Sequence, residues 1–491
     1  MSTSISAAGA AFPVDMRLVT KRAFTPVAAS GVDSAPVIIS AFPSGIRRLF
    51  PARVFRAAWL LAVLVMEAGV ANAAPESSAP VEAEKSGKGK TDETPFIDPR
   101  VMELLERMNP QRTFEAGGNR VQFVPVPVFD LDPNEGPTAG AMGIFLVQRR
   151  TTNAIIGIIS PQYTWNGIIG HTGTLDYQGY FRPGSKVRLY GSIAERVYRE
   201  AMFELDQNPI FGTPFFASLR ASYINDPYRR FYGTGAGTPA SGQSAFTMED
   251  YHAGGRVGVK VLGAFNLVYE GEVYRTRIKP DVIPGVPSTL AVYPGLPGTP
   301  KSLTVVHRTA VEMDTRPDGE FSRVGTFMRM YGYRSSESFG SDVGYWGWGG
   351  EALHLRPFSE RVYGVVRGLV DHVYGSSAIP FMRLPALGGD SALRGFGGGR
   401  FYDNGRLLFQ AEVRVALVRL NWFDVESEVR LDPFFEMGRV FHSSGDLGFK
   451  DMEYTGGVGW RLEVRPDILV RVDFGFSRDG MVAFVKMGYP F

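Results

Sequence analysis

Gly405-Arg406-Leu407-Leu408-Phe409-Gln410-Ala411-Glu412-Val413-Arg414-Val415-Ala416-Leu417 is the stretch on which the fold turns. In an extended chain, successive side chains face opposite sides. Here the odd positions are Leu407, Phe409, Ala411, Val413, Val415 and Leu417. The even positions are Arg406, Leu408, Gln410, Glu412, Arg414 and Ala416. One side is wholly apolar and the other holds charges, so the period of two predicts a strand.

The same split recurs along the chain. Ile468, Val470, Val472, Phe474 and Phe476 oppose Leu469, Arg471, Asp473 and Gly475. Tyr454, Val458, Trp460, Leu462 and Val464 oppose Thr455, Gly457, Gly459, Arg461 and Glu463. Val257, Val259 and Val261 oppose Arg256, Gly258 and Lys260. A soluble sandwich also alternates, with its apolar face inside and its polar face in water. The segments here often reach 11 residues or more, against a usual strand length of about 5–6. Their polar faces are crowded with glycine and with charges of both signs, which suits a wet, partly filled lumen. Lipid leaves backbone groups unsatisfied unless the sheet closes. The expectation is therefore an all-β, transmembrane antiparallel barrel.

Sixteen strands are predicted. They fall near 138–149, 154–165, 172–181, 185–198, 214–225, 250–261, 264–275, 303–314, 322–334, 345–357, 361–373, 405–417, 425–441, 452–464, 468–477 and 481–491. With the first strand running outward, the connections at 226–249, 276–302, 335–344, 374–404 and 442–451 fall outside. Short turns such as Leu262-Gly263 and 315–321 fall inside. Long outer loops and short inner turns are the asymmetry of outer-membrane barrels. Val121 to Asp130 contains Pro125 and Pro127. It is read as a lead-in, because proline suits no central strand.

Upstream, Arg47, Arg48, Arg53 and Arg56 precede the apolar run Ala57–Met66, and Ala71-Asn72-Ala73 follows it. That run is too short to span a bilayer, which needs ~20 apolar residues. The basic, apolar, small-residue order is that of a secretory signal peptide with cleavage after Ala73; a buried hydrophobic helix is the alternative. The organisation read is a leader and signal peptide over 1–73, a periplasmic linker over 74–120 and a barrel over 121–491. The linker is rich in Glu, Ser, Lys and Pro and cannot bury enough apolar surface to order itself; one short helix is expected at Pro99–Met108.

Composition excludes other classes. Among 491 residues there are 58 glycines, 33 prolines, 35 phenylalanines, 20 tyrosines and no cysteine. Disulfide scaffolds, cysteine-ligated metals and thiol enzymes are ruled out. The net charge is +2; residues 1–73 hold seven of the 52 basic and three of the 50 acidic residues, leaving 45 against 47. Neither value is an electrostatic footprint for nucleic acid. Asp130-Leu131-Asp132-Pro133-Asn134-Glu135-Gly136 hints at a calcium loop, but its glycine is one place late and Ala141 stands where a bidentate glutamate is needed; a turn is expected. The six histidines are scattered without zinc spacing. No nucleophile and base are placed together, so no enzymatic function, cofactor or metal is expected.

At the end of the chain, Phe491, Tyr489, Met487, Val485, Ala483 and Met481 are expected to share a lipid face, with a terminal aromatic at the interface belt. Lys486, Gly488, Tyr489 and Phe491 resemble the C-terminal targeting signal of bacterial outer-membrane proteins: polar, any, Gly, aromatic, any, aromatic.

The loop 374–404 carries Leu384-Pro385-Ala386-Leu387-Gly388-Gly389 and then Leu393-Arg394-Gly395-Phe396. With Phe409-Gln410-Ala411-Glu412, Phe434-Phe435-Glu436-Met437-Gly438 and the turn Asp314-Thr315-Arg316-Pro317-Asp318-Gly319, it resembles the BamA/TamA superfamily, the bacterial surface-antigen family. Arg229-Arg230-Phe231-Tyr232-Gly233-Thr234-Gly235 is similar to another recurrent loop of that domain. The resemblance implies a sixteen-stranded barrel whose sixth extracellular loop folds into the lumen with an Arg-Gly-aromatic tip. It also implies assistance in outer-membrane protein assembly or polypeptide translocation. The family's machines usually carry periplasmic POTRA domains, and the match is to a POTRA-less branch. The implied partners are outer-membrane lipid, polypeptide clients and a separate periplasmic accessory protein; the alternative is a passive channel or surface antigen.

The residues support a lumen lock without the family. Glu412 and Glu436 lie on the charged side of their strands, and a guanidinium can bridge carboxylates through several fixed donors. Gly395 and Gly397–Gly399 free the loop to fold tightly. Arg394, flanked by Leu393, Gly395 and Phe396, is expected to reach Glu412, Glu436 or both. The family resemblance further implies a weak seam between the first and last strands, Thr138–Arg149 and Met481–Phe491, where Gly140, Gly143 and Pro490 would disfavour pairing; an ordinary closed seam is the alternative.

Overall fold

A computed structural model describes residues 113–491 except 153, 183, 281–282, 376–377, 423–424 and 465–467; the side chains of 420–426 and 464–468 are also outside the description. The leader, the signal peptide and the helix expected at Pro99–Met108 lie outside the described residues.

The chain is a meander. β1 (Thr113–Ala116) makes a hairpin with the start of β2 (Asn119–Asp132). Next come β3 (Gly136–Arg149), β4 (Ile155–Asn166), β5 (Gly170–Arg182), β6 (Ser185–Ala194) and β7 (Arg199–Gln207). β8 (Phe215–Phe231), β9 (Ser244–Leu262) and β10 (Phe265–Pro280) follow and are longer. After the short helix α1 (Thr289–Val292) come β11 (Lys301–Asp314), β12 (Gly325–Ser335), β13 (Tyr345–Pro357) and β14 (Val362–Gly375). A long loop holds the small pair β15 (Ala386–Leu387) and β16 (Phe401–Tyr402). β17 (Gly405–Trp422), β18 (Val425–Phe441), β19 (Glu453–Val464), β20 (Ile468–Ser477) and β21 (Gly480–Met487) complete the sheet. Each wall strand pairs antiparallel with the next, and β21 meets β2, closing an 18-stranded barrel.

Eighteen strands replace the sixteen expected, and both additions have physical causes. β2 is a wall strand despite Pro125 and Pro127. It pairs with β3 over its whole length, from Asn119↔Arg149 to Asp132↔Gly136. In an unbroken antiparallel ladder, prolines fit only where the N–H would point away from the partner. Both missing donors therefore face the closing edge. β7 lies wholly in the expected connection after 198, because the turn 195–198 between β6 and β7 holds neither Gly nor Pro and reads as the end of a longer strand 185–198. Val197 makes the left-handed step instead, at φ 42°. Two added strands leave the sense of every strand from Phe215 onward as expected. They invert the four predicted between 138 and 198, so that β3 runs away from the end that carries the long loops. The loop 376–404 becomes the seventh outer connection, not the sixth.

The faces follow the alternation. Phe181, Val257, Leu267, Val311, Met330 and Trp460 lie exposed on the outward side. Arg414, Arg430, Arg461 and Asp473 are buried on the inward side. Among the described residues no helix is long and apolar enough to cross a membrane; an exposed apolar band around a closed barrel crosses with strands. At the outer end, Phe231, Phe246, Ile278, Phe381, Met382 and Tyr402 form one apolar cluster, with Leu290 and Tyr293 of the α1 region packed on it. The mouth is therefore roofed by loops.

The seam is unlike the rest of the wall. β2 and β21 share a single ladder pair, Leu131↔Ala483. Beyond it β21 passes inside β2. Its ladder with β20 (Val472↔Val485, Val470↔Met487) puts Val485 on the nominally outward side. Yet Val485 packs in one cluster with Val128, Met142 and Ile144 from the inward faces of β2 and β3. It also lines a lumenal cavity of about 30 Å³ with Asp130, Thr138, Gln162 and Thr164. The lipid face expected for the last residues therefore holds for Met481; Ala483 points outward but is covered at the seam, and the face turns inward from Val485 on. The apolar inner face of β2 and β3 is the cause, because it gives the end of β21 something to bury against.

Candidate functional site: the lumenal loop tip and the chain terminus

The long loop between β14 and β17 turns back on itself through the β15–β16 pair, Ala386↔Tyr402 and Leu387↔Phe401. Its far turn is closed by Gly389 N–H donating to Phe396 O at 2.9 Å and Phe396 N–H donating to Leu393 O at 2.9 Å. Leu393, Phe396, Leu387 and Phe401 pack with Leu369, Leu408 and Val440 of the inner wall. That apolar base sets the height of the tip.

Arg394 projects from it and is fully buried. Its backbone N–H donates to Glu436 Oε2 at 2.6 Å and its Nε to Glu436 Oε1 at 2.7 Å. Its Nη2 lies 2.7 Å from Glu412 Oε1 and its Nη1 3.2 Å from Asp473 Oδ1. Phe434 stacks under the guanidinium, with its ring centre 3.7 Å from Cζ. One cation thus joins three carboxylates from β17, β18 and β20. Gly395 is needed beside it, since a Cβ there would come within 2.9 Å of Ser477 Cβ and Thr455 Cγ2. Gly475 of β20 is needed opposite, where a Cβ would stand 2.1 Å from Arg394 O.

The carboxylates are shared outward through the wall. Glu412 accepts from Arg414 Nε at 2.8 Å, and Glu436 accepts from Gln410 Nε2 at 2.7 Å. Asp473 accepts from Arg461 at 2.7 Å and from Arg471 at 2.5 Å. Arg471 also reaches Asp390 in the loop at 2.9 Å. Buried charges at this density hold only when each is paired and hydrogen-bonded.

The loop also clamps the outer end of the seam. Arg400 pairs with Asp479 in the β20–β21 turn at 2.6 Å and donates to Thr238 Oγ1 and O at 3.1 and 3.0 Å. On the other side of the seam, Asn134 Nδ2 donates to Gly398 O at 2.8 Å. Asn134 belongs to the Asp130–Gly136 segment, which is the turn between β2 and β3. Burial pushes the Glu135 carboxyl in that turn well above its ordinary range.

The chain terminus enters the same network. β21 ends at Met487, and Arg430 Nη2 donates to Tyr489 Oη at 2.6 Å, which itself donates to Glu463 Oε2 at 3.0 Å. Arg414 lies 4.3 Å from the Tyr489 ring centre. The Phe491 ring is 5.3 Å from Arg367 and 5.8 Å from both Arg394 and Arg414. Tyr489 and Phe491 therefore lie against lumenal arginines and not against lipid. Lys486 faces inward too, 3.3 Å from Asp130 Oδ2.

Leu393, Arg394, Gly395, Phe396, Glu412 and Glu436 are thus brought together. Asp473, Phe434, Gln410, Arg400 and Asn134 were missed as members. Asp473 had a signal, since it sits on the charged side of an alternating strand. Arg400 and Asn134 had none, because their partners lie far away in sequence.

No family model matches the sequence, and no curated protein matches it. Among solved structures, BamA from Haemophilus ducreyi lacking POTRA domains 1–3 is similar at 13% identity and a TM-score of 0.46, over 79% of this chain and 76% of that one. CdiB from Escherichia coli is similar at 11% identity and a TM-score of 0.42, over 76% of this chain and 63% of that one. CdiB from Acinetobacter baumannii is similar at 11% and 0.39, over 75% and 59%.

Proposed function

We propose that this chain is an outer-membrane barrel of the BamA/TamA type, exported by its signal peptide, which assists assembly or translocation of polypeptide at that membrane. The observation that carries the reading is Arg394, delivered by a loop into the lumen and bound at once by Glu412, Glu436 and Asp473. The seam adds to it. A wall joined by one backbone pair at Leu131↔Ala483 can part at far smaller cost than any other pair of strands.

Loop and seam then form one device. The tip holds the end of the wall in place through Asp473. Arg400 and Asn134 hold the two sides of the seam at the outer end. The inner half of the seam is left to side-chain packing, and there a client segment would enter between β21 and β2. A periplasmic accessory protein would deliver it. Lys486, Gly488, Tyr489 and Phe491 would serve as this chain's own targeting signal during export, before Tyr489 and Phe491 fold into the lumen.

Depletion of the protein followed by a census of outer-membrane proteins tests the reading. Loss of a subset of other barrels or secreted polypeptides is expected, and unchanged levels of all of them would reject it. Planar-bilayer conductance separates the alternative. Small erratic openings are expected of a roofed, plugged barrel, whereas a steady wide pore would favour a passive channel.

A further inference from the structure

Outward-facing charge at the outer rim is unevenly spread. On β10, Arg275, Arg277 and Lys279 follow each other at every second residue on the outward side, and Lys301 of β11 lies directly across from Arg277. Residues so placed stand about 5–7 Å apart. Arg275, Arg277 and Lys301 are exposed. Among the described residues two acids stand by them: Glu249, opposite Arg277 on β9, lies 3.6 Å from Arg277 and 3.1 Å from Lys279, and Asp342 of the β12–β13 loop accepts from the backbone N–H of Leu303, the residue opposite Arg275, at 2.7 Å. The side chains of Arg275 and Lys301 make no hydrogen bond or ion pair among the described residues. Elsewhere on the rim the signs balance. Arg334 of β12 is followed by Glu337, and Lys450 lies among Asp446, Asp451 and Glu453.

The patch continues directly into the apolar band. Tyr251 pairs across from Arg275, and Tyr223 pairs across from Tyr251 with ring centres 4.8 Å apart. One step further from the rim, Ala221, Ala253, Val273 and Val305 lie in one outward row. The order from mid-wall to rim is aliphatic, tyrosine, then cation, which matches acyl chain, interface and headgroup.

We propose that this face of β9–β11 is a binding site for a phosphorylated membrane lipid. The phosphate is held between Arg275, Arg277 and Lys301, and the acyl chains lie on Val273, Val305 and Ala253. Two guanidiniums and an ammonium around one point suit a phosphate ester, which arginine binds through paired donors. Burying the tails on the aliphatic row distinguishes a lipid from free phosphate. The inference rests on the barrel being embedded in a membrane, and the experiment separates the two.

The full chain is reconstituted in phosphatidylcholine nanodiscs doped with phosphatidic acid, and retained lipid is read by native mass spectrometry. The wild type is expected to keep phosphatidic acid through delipidation. Arg275→Gln/Arg277→Gln/Lys301→Gln is expected to lose it about tenfold, while Arg334→Gln/Arg356→Gln/Lys450→Gln, which removes equal charge elsewhere, keeps it. Equal retention by the two triple variants would overturn the proposal. Displacement of the lipid by millimolar inorganic phosphate would also overturn it, because the tails would then contribute nothing. A chain that never enters the nanodisc would instead reject the membrane reading.

Discussion

The wall from β17 to β20 and the seam between β21 and β2 are made from the same kind of alternating strand, yet they are held in opposite ways. Along the wall, backbone ladders run from Gly405↔Phe441 to Val464↔Ile468, and the inward ionic layer sits on top of them. At the seam the ladder shrinks to Leu131↔Ala483. Contact there passes to side chains, with Val485 buried on Val128 and Met142 and with Tyr489 and Phe491 set among arginines. Backbone hydrogen bonds in lipid have no competing water and must be satisfied. A seam that gives them up must be covered otherwise, and β21 does this by overlapping β2 from inside. The contrast makes the seam the most weakly paired boundary of the sheet and the wall beside it strongly tied.

The largest effect is expected from removing the cation that unites the wall. Arg394→Ala leaves Glu412, Glu436 and Asp473 buried without their shared partner, at a cost of about 3–5 kcal/mol. The temperature at which the barrel loses its heat-modifiable gel mobility should fall, and Arg394→Lys should recover only part because it lacks the planar fork. An unchanged transition would mean that the ionic layer is not what makes the wall rigid. A smaller effect is expected from Gly475→Ala. The new Cβ would stand 2.1 Å from Arg394 O, so the tip must lift at about 1–3 kcal/mol. Trypsin, blocked at the buried Arg394 of the wild type, should then cleave there. Resistance equal to wild type would show that β20 can yield without releasing the loop. The smallest effect sharpens the seam. Pro125→Val/Pro127→Val restores two N–H donors toward β21, each worth about 0.5–1.5 kcal/mol if paired. Hydrogen exchange in β21 should slow while exchange in β18 stays the same. No slowing would mean that the overlap, and not the missing donors, keeps the ladder short.

Much of the wall was readable because alternation is a local property. In Gly405–Leu417 the apolar and charged sets are separated by position alone, and lipid against lumen is the environment that rewards such a split. Arg394 was readable for a related reason. Its glycines, and two acidic residues on the charged side of nearby strands, leave a cation few other places to find a partner. β2 was misread because proline is judged against a strand with neighbours on both sides, and only closure shows that one side of β2 is an edge. β7 was missed because its preceding turn uses Val197 in place of a glycine.

Residue order alone therefore determines that the chain forms long amphipathic strands, which residues face lipid and which face the lumen, and that a loop arginine seeks lumenal acids. Strand number, the sense of the strands before Phe215, the third carboxylate at Asp473 and the inward path of Val485 to Phe491 emerge only on closing the barrel. Facing is set residue by residue from the hydrophobic pattern. Closure brings together segments hundreds of residues apart, and only there do the edge prolines of β2, the greasy inner side of β2 and β3 and the last strand encounter one another.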